Sequence, residues 1–365
     1  MNLNFSRLSL SLLVIALPAI SFAQPSNGPV LQWRGAQQLA IEGKGWNDTK
    51  EFFDRLPARA ETIVRPAVWN LSRDSAGICV RFTTDATAIS VRWKLRKESL
   101  SMPHMAASGV SGVDLYVKEK KHWHWLAAGR PDKTNVNEKI IVKDLTSKER
   151  EYILYFPLYN GLLDLEIGVP MDAKMVAAPV RKQKPIVFYG TSILQGACAS
   201  RPGMAYPAIL GRRLDWPTIN LGFSGNGKSE PEMANLIAEL DAAVFVLDSL
   251  PNLPPEQVSE RVEPFIKILR AAHPTTPIVL VEHIKYPDGI LVEPRRRKYE
   301  EGNPQLRKIF RRLVKSGDKN LHYISAKKLI GNDGEATVDG THPTDLGFLR
   351  MADAMVPTLA NLLRR

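Results

Sequence analysis

The distribution of apolar residues divides the chain into two parts with different periods. Between residues 24 and 178, several short runs alternate apolar and polar residues, among them Ile89 to Leu95, Val113 to Val117 and Leu163 to Val169. This alternation is typical of strands in antiparallel sheets, which have one face in the core and the other in water. Turns rich in Gly, Pro, Asn and Asp separate the runs, so we predict a β-sandwich of jelly-roll type over residues 24–178.

A basic, proline-flanked stretch at residues 179–185 is interpreted as a linker, and the pattern changes after it. From residue 186 to residue 365, short apolar strands alternate with amphipathic helical segments, which predicts a parallel sheet covered by helices on both faces. We therefore expect a second domain with a three-layer α/β/α arrangement. The predicted strands are Ile186–Tyr189, Thr218–Leu221, Ala243–Leu247, Ile278–Glu282 and Leu321–Ser325, and the last two predicted helices are Pro304–Val314 and Asp345–Leu363.

The first strand of this second part ends at a candidate nucleophile. Ile186–Tyr189 is apolar throughout, and Gly190 and then Ser192 follow it. A hydroxyl at this point lies at the carboxyl edge of the sheet, where open α/β folds keep their sites. A serine in such a turn can also simply cap the next helix, so the nucleophile hypothesis requires a base elsewhere in the chain.

The end of the chain contains such a base. Asp339 and His342 are three residues apart on a loop that contains Gly340 and precedes Pro343, a residue suited to the first turn of the last helix. The Asp339 carboxylate can fold back onto Nδ1 of His342, which leaves Nε2 to take the proton of Ser192. The sequence thus predicts Ser192, His342 and Asp339 as catalytic residues.

Donors for a developing oxyanion are available after the next two strands. The backbone N–H of Ser192 is one candidate, and the Gly-rich loop 220–227 follows the second strand. Asn252 follows the third strand and adds a side-chain N–H. The loop has neither the spacing of a Walker motif nor that of a dinucleotide fingerprint, although a tight structural turn stays open as an interpretation.

Taken together, these motifs resemble the SGNH (GDSL-type) esterase/acylhydrolase superfamily from about Pro185 to the C-terminus. Gly190-Thr191-Ser192 stands where that family has Gly-Asp-Ser, and Thr191 is a departure. The resemblance implies that Gly225 is the oxyanion glycine, ahead of Gly227. It also implies Asn252 as the third donor, although Asp248 to Asn252 matches the third family block poorly.

The first part of the chain carries a second resemblance. Gly112-Val113-Asp114-Leu115-Tyr116 matches the signature of the GxDLY domain, a β-rich module ahead of one SGNH subgroup. The α/β-hydrolase alternative requires Gly-x-Ser-x-Gly, but position 194 is Leu.

Composition excludes several other classes of protein. The chain of 365 residues is 44% apolar and has a net charge of +11, with basic runs at 295–298 and 307–315 that we interpret as solvated helix faces. We expect no nucleic-acid partner.

His122 and His124 lack a third ligand, so no metal site and no cofactor are predicted. Cys79 and Cys198 are expected as free thiols, with an interdomain disulfide as the alternative.

The N-terminus predicts export. A single charge at Arg7, the apolar run Leu8 to Ile20 and a small-x-small site ending at Ala23 form a secretory signal peptide over residues 1–23. The run is too short for a membrane span. A secreted or periplasmic location follows.

The predicted activity is that of an exported serine esterase that removes short acyl groups from carbohydrate, with acetyl as the expected group. Its partner would be a small-molecule or polysaccharide ester, and the sequence predicts no oligomeric state. Two alternatives stay open: a lipid or thioester acylhydrolase, and a carbohydrate-binding envelope protein with an inactive hydrolase domain.

Overall fold

The computed structural model describes residues 30–364. The predicted signal peptide at residues 1–23 lies outside the described residues. Within residues 30–364, no helix combines the length and the apolar character that crossing a membrane requires.

The first part of the structure consists of two antiparallel sheets. One has the strand order β1-β9-β4-β7, and the other has the order β10-β3-β8-β5-β6 with β2 paired to β3. The strands are β1 (Leu31–Gly35), β2 (Ala40–Glu42), β3 (Cys79–Thr84), β4 (Ile89–Leu95), β5 (Val113–Glu119), β6 (His122–Gly129), β7 (Val136–Val142), β8 (Arg150–Tyr155), β9 (Leu162–Pro170) and β10 (Met175–Ala177).

The two sheets pack face to face over a shared apolar core. Trp93 of β4 and Ile167 of β9 contribute from one sheet, and Phe82 of β3 and Leu115 of β5 contribute from the other. All four side chains are buried completely. Because every second residue of these strands is apolar, each sheet has one face that is stable only in the core. The predicted β-sandwich is confirmed.

The second part contains one parallel sheet with the order β12-β11-β13-β14-β15. Its strands are β11 (Ile186–Gly190), β12 (Thr218–Gly222), β13 (Val244–Asp248), β14 (Ile278–Val281) and β15 (Leu321–Ile324). The helices of the described chain, numbered from its start, are α1 (Pro66–Ser72), α2 (Ala107–Val110), α3 (Ser192–Gln195), α4 (Tyr206–Leu214), α5 (Pro231–Ile237), α6 (Val258–Ala272), α7 (Glu293–Lys315) and α8 (Asp345–Leu363).

Helices cover both faces of this sheet. Phe188 of β11 packs with α4 and α8 on one face, whereas Tyr189, the next residue, packs with α5, α6 and α7 on the other. Both side chains are at most 1% exposed. Strands buried on both faces explain the continuous apolar runs in the sequence. The predicted three-layer α/β/α fold is confirmed.

One helix is longer than the sequence predicts. Helix α7 begins at Glu293, eleven residues before the expected start at Pro304, so Pro304 lies inside the helix. The basic run 295–298 forms part of its first turns, where Arg296 pairs with Glu300. Ion pairs of this i,i+4 kind stabilise the exposed part of a helix despite a proline farther along.

One segment of the first part departs from the β pattern. Residues 46–72 form short helical turns and α1, and most of their buried apolar side chains pack against the parallel sheet, although Phe53 packs in the core of the sandwich. Trp69 and Val68 of α1 join the same core as Tyr189 and Leu221. The prolines of this segment disfavour a central strand, and its apolar residues do not alternate. The sandwich and the α/β layers therefore share a core.

Candidate active site

The fold places Ser192 at the carboxyl edge of the parallel sheet. Strand β11 continues through Gly190, one residue farther than predicted, and Ser192 is the first residue of α3. Thr191 lies between them in an extended conformation, and its hydroxyl accepts a hydrogen bond from Ile193 N at 3.3 Å. Since Thr is a good N-cap residue, it supports the turn at the position where the resemblance expects Asp. Ser192 itself is 7% exposed.

Ser192, His342 and Asp339 form one hydrogen-bonded series. Oγ of Ser192 lies 3.0 Å from Nε2 of His342, and Nδ1 of His342 lies 2.7 Å from Oδ2 of Asp339. The other carboxylate oxygen of Asp339 accepts hydrogen bonds from Thr341 N at 2.9 Å and from His342 N at 2.8 Å. Gly340 adopts a φ of 77°, a left-handed conformation that lets the loop turn back on itself.

The charge of Asp339 is stabilised by its own loop. Partial burial acts to raise the pKa of this carboxyl, but hydrogen bonds from the backbone and ring of His342 and from the backbone of Thr341 outweigh it and lower the pKa to about 2. The carboxylate therefore stays ionised near neutral pH. An ionised partner at Nδ1 keeps the proton on that nitrogen and leaves Nε2 directed at Ser192.

The Gly-rich loop after β12 lies directly over the start of the Ser192 turn. Phe223 N donates to Gly190 O at 3.0 Å, and a Cβ on Gly227 would lie only 1.9 Å from the same oxygen. Phe223 O in turn accepts hydrogen bonds from the N–H groups of Asn226 and Gly227. The loop can approach β11 this closely only because residue 227 has no side chain.

Gly225 differs from Gly227 in its backbone environment. It is exposed, with a φ of 67°, and no acceptor for its N–H occurs within residues 30–364. The N–H of Ser192, at the start of α3, likewise has no acceptor among the described residues. The N–H of Gly227 is already used, at 2.9 Å from Phe223 O. The two predicted backbone donors are thus both free to bind a ligand.

Asn252 contacts the Gly-rich loop. When its amide is oriented by its hydrogen-bond partners, Oδ1 accepts from Asn226 N at 3.0 Å and from Gly227 N at 3.1 Å, which leaves Nδ2 as the free donor. In the opposite orientation, Nδ2 makes a single contact of 3.4 Å with Phe223 O. Two shorter bonds favour the first orientation. No hydrogen bond among the described residues joins Asn252 or Gly225 directly to Ser192.

Arg55 supports the same loop from below and was not predicted from the sequence. Its guanidinium is fully buried and donates to the backbone oxygens of Asn220 at 3.1 Å and Gly222 at 2.7 Å. It also stacks over the ring of Phe223 at 5.0 Å. Burial lowers the pKa of Arg55 to about 10, against the opposite effect of Asp74, so it remains charged at neutral pH.

Arg65 is the second residue that sequence analysis missed. It donates to Oδ1 of Asn226 at 2.8 Å and to the backbone oxygen of Asn226 at 3.1 Å. It also binds Oε1 of Glu230, at the start of α5, at 2.5 Å. Arg55 and Arg65 lie about 160 positions before the Gly-rich loop. The one sequence signal near them is the break in the β pattern over residues 46–72.

The GxDLY pentapeptide binds the loop that follows α3. Asp114 is completely buried, and its Oδ2 accepts hydrogen bonds from Arg201 Nη1 at 2.8 Å and Gly203 N at 2.9 Å. Tyr116 hydrogen-bonds to Arg201 as well. The polar face of β5, which the alternation predicts to be wet, is buried because the loop after α3 covers it.

That loop also reaches the catalytic end of the chain. Ser200 N donates to Oδ1 of Asp345 at 2.9 Å, and its hydroxyl donates to Oδ2 at 2.5 Å. Asp345 is the first residue of α8, three positions after His342. The sandwich is therefore connected to the base loop through Arg201, Ser200 and Asp345.

The remaining candidates lie outside this hydrogen-bonded series. His122 and His124 are exposed on β6, and Trp125 beside them is 52% exposed because a bulge interrupts the alternation. Cys79 and Cys198 are buried free thiols. Burial, with a smaller effect of Asp339, raises the pKa of Cys198 to about 12, which makes this thiol a poor nucleophile.

Two family models match the chain. Residues 183–360 match the GDSL-like lipase/acylhydrolase family. Residues 31–175 match GxDLY, described as the N-terminus of Esterase_SGNH_hydro-type proteins. The two matches cover the α/β layers and the sandwich respectively. No curated protein matches the chain.

Solved structures match over most of the chain. A protein from Bacteroides ovatus described as a GDSL-like lipase is 37% identical, covers 92% of this chain and 98% of its own, and superposes with a TM-score of 0.87. The salicylyl-acyltransferase SsfX3 of a tetracycline biosynthetic pathway is 20% identical, with coverages of 92% and 96% and a TM-score of 0.69. A family two carbohydrate esterase from Clostridium thermocellum, solved with cellohexaose, is 16% identical, with coverages of 79% and 93% and a TM-score of 0.57. The last two similarities establish the fold alone.

Proposed function

We infer, because the chain belongs to the GDSL-like lipase/acylhydrolase family, that it hydrolyses carboxylic esters with Ser192 as the nucleophile. Family membership makes it an ester hydrolase. The observation that carries the mechanism is the series Ser192 Oγ to His342 Nε2 at 3.0 Å and His342 Nδ1 to Asp339 Oδ2 at 2.7 Å. A serine, a base and a group that orients the base are the parts that acyl transfer to a hydroxyl requires.

In the first half of the proposed reaction, Oγ of Ser192 attacks the ester carbonyl while Nε2 of His342 takes its proton. His342 then protonates the leaving alcohol, and an acyl-serine remains. In the second half, Nε2 takes a proton from water, the hydroxide oxygen attacks the acyl-serine, and the carboxylic acid is released as Ser192 regains its proton. Asp339 remains ionised throughout and stabilises the imidazolium.

The developing oxyanion would be bound by the N–H groups of Ser192 and Gly225 and by Nδ2 of Asn252. The two backbone donors are supported by their lack of any other acceptor within residues 30–364, and Asn252 is supported by the orientation that leaves Nδ2 free. Donors fixed before the reaction stabilise charge without reorganising, which makes them effective.

The proposed substrate is a carbohydrate that carries a short acyl group, with acetyl as the expected group. An exposed catalytic loop favours a bulky alcohol, since the side chain of Asp339 is 38% exposed and that of His342 is 20% exposed. The carbohydrate esterase solved with cellohexaose has the same fold and agrees with this choice.

We further propose that the protein is exported after cleavage behind Ala23, which mass spectrometry of the mature N-terminus would test.

Labelling with an active-site fluorophosphonate tests the nucleophile. We expect one adduct on Ser192, located by peptide mass spectrometry, and no adduct in Ser192→Ala. Ser316→Ala, at an exposed serine outside the site, is the matched control and should label like the wild type. If Ser192→Ala still reacts with the fluorophosphonate and still hydrolyses short esters, the proposal is refuted.

A substrate panel tests the finer proposal. Release of acid is compared for acetylated oligosaccharides, acetyl thioesters and esters of short and long fatty acids. We expect the highest kcat/KM for an acetylated oligosaccharide. A preference for long acyl chains or thioesters would support a lipid or thioester acylhydrolase. Sugar binding without turnover of any ester would support a carbohydrate-binding protein with an inactive hydrolase domain.

A further inference from the structure

We propose that His104, Cys198 and His342 form a binding site for a zinc-type transition metal cation, and that occupancy of this site switches the esterase off. The inference concerns regulation of the site described above and rests on the proposed function. Each of the three side chains offers one ligand atom, and the three atoms lie within 4.8 Å of one another. Neither His104 nor Cys198 takes part in the proposed reaction.

The three residues come from three separate parts of the fold. His104 belongs to the sandwich, in the turn closed by the bridge between Met102 and Met105. Cys198 follows α3, and His342 precedes α8. The rings of His104 and His342 lie with their centroids 5.5 Å apart. Tertiary packing alone brings these three ligands together, so the cluster is not a by-product of one turn or one helix.

His342 already has the environment of a metal-ligating histidine. Such a residue usually donates its second ring N–H to a carboxylate, which fixes the ring and raises the basicity of the ligating nitrogen. Asp339 Oδ2 fills that place at 2.7 Å from Nδ1. Nε2 is thereby prepared to bind either the proton of Ser192 or a cation.

Cys198 is held in an unusual backbone conformation beside this ring. Its φ is 72°, in the left-handed region, and its side chain is only 8% exposed. A non-glycine residue is strained in this region and persists there only where the surroundings enforce it. The neighbouring hydrogen bonds Ala197 N to Ser192 O and Ala199 N to Gly196 O do so here.

The ligand set selects the class of cation. One sulfur and two imidazole nitrogens suit Zn²⁺ and other soft or borderline ions, and three protein ligands leave a fourth position for water. Mg²⁺ and Ca²⁺ prefer oxygen and should not bind. Because Nε2 of His342 has one lone pair, a bound cation removes the base from Ser192, which lies 3.0 Å away.

A spectroscopic titration tests binding without any reference to catalysis. The probe is Co²⁺, and the protein is full-length Ser192→Ala, whose Nε2 has no competing hydroxyl. We expect one cobalt per chain with a thiolate-to-cobalt charge-transfer band, and Zn²⁺ should displace it. Ser192→Ala/Cys198→Ser should lack the band, whereas Ser192→Ala/Cys79→Ser should retain it.

Inhibition supplies the second measurement. Zn²⁺ should inhibit ester hydrolysis by the wild type reversibly, and a chelator should restore the rate. In His104→Ala, His104→Gln and Cys198→Ser, each compared with its own zinc-free rate, the inhibitory concentration should rise about tenfold or more, as expected when one metal ligand is lost. His122→Ala, at an exposed histidine of β6 that is not a member of the cluster, should keep the wild-type sensitivity.

The outcomes separate the two proposals. No charge-transfer band in folded Ser192→Ala, or undiminished zinc sensitivity in Cys198→Ser, would overturn the metal site even if the protein is an esterase. A cobalt band in a protein that hydrolyses no ester would support the site and overturn the proposed function instead.

Discussion

The two sides of the candidate site are built in different ways. On the base side, Asp339 and His342 are three residues apart, and the loop that carries them supplies its own hydrogen bonds at 2.7–2.9 Å. On the oxyanion side, Gly225 and Asn252 come from different loops. Their arrangement depends on Arg55 and Arg65, which enter from the sandwich part of the chain.

This difference separates what a short sequence encodes from what tertiary contacts impose. The hydrogen bonds of the Asp339 carboxylate join residues at most three positions apart, so the chemistry of the base loop can be read from the sequence. The oxyanion loop needs a buried guanidinium to satisfy the oxygens of Asn220 and Gly222. Unpaired, these buried carbonyls would each cost about 1–3 kcal/mol, so removing their partner should disturb the loop.

The largest effect is expected on the base side. His342→Ala removes the group placed to accept the proton of Ser192, and we expect kcat for a short ester to fall about 10³-fold or more, because members of such a series act as a unit. His124→Ala, at an exposed histidine, is the control and should be unaffected. A loss below about tenfold in His342→Ala would contradict the assigned role.

The sequence points to the residues of the base side for a physical reason. Asp339, His342 and Ser192 each stand next to an element boundary that hydrophobic periodicity locates, namely the end of β11 and the start of α8. The alternation of apolar and polar residues predicted the sandwich, and the alternation of short apolar strands with helices predicted the parallel sheet. Neither period contains information on which distant side chain enters a loop, so Arg55 and Arg65 could not be predicted.

Asn252 offers a sharp test of the oxyanion side. Asn252→Ala removes both the acceptor that holds Asn226 and Gly227 and the proposed donor Nδ2. We expect kcat to fall about 10²-fold, the usual effect of losing one oxyanion donor. Asn252→Asp keeps the acceptor but places negative charge where the donor was.

The two substitutions separate the two roles of this side chain. If Nδ2 binds the oxyanion, Asn252→Asp should be at least as slow as Asn252→Ala. If Asn252 only holds the loop, Asn252→Asp should retain most of the wild-type kcat, and its place among the oxyanion donors would have to be withdrawn.

Asp114 tests the connection between the sandwich and the base side. It is buried and accepts from Arg201 and Gly203, so Asp114→Asn weakens charge-assisted hydrogen bonds; we expect the free energy of unfolding to fall by about 2 kcal/mol. Denaturant unfolding measures this. Asp132→Asn, whose exposed carboxylate pairs with Lys139, should leave the free energy of unfolding nearly unchanged. Equal effects of the two substitutions would argue against the connection.

Arg65 should give a smaller, kinetic effect. Arg65→Ala releases Asn226 and Glu230, so the Gly-rich loop loses one support while Arg55 remains. We expect kcat to fall about tenfold, or roughly 1.4 kcal/mol in the activation free energy, with little change in KM. Arg59→Ala is the matched control, since Arg59 lies on the same segment but its guanidinium binds Asp48 and Glu239 at the surface. A change in KM alone would point to substrate contact instead of loop support.

The pH dependence of Asp339 should give the smallest effect. Its hydrogen bonds lower its pKa to about 2 in the folded protein, below the ordinary value of 3.8. The folded state therefore releases this proton more readily than the unfolded state, so the carboxylate stabilises the fold above about pH 4 and loses that contribution as the pH falls towards about 2. Unfolding by denaturant at several pH values should show the wild type more stable than Asp339→Asn at about pH 6, with a gap that narrows on acidification. If the difference in unfolding free energy between the two proteins stays constant down to about pH 2.5, the hydrogen bonds of the loop do not stabilise the Asp339 carboxylate. The base side would then depend on distant contacts as much as the oxyanion side does.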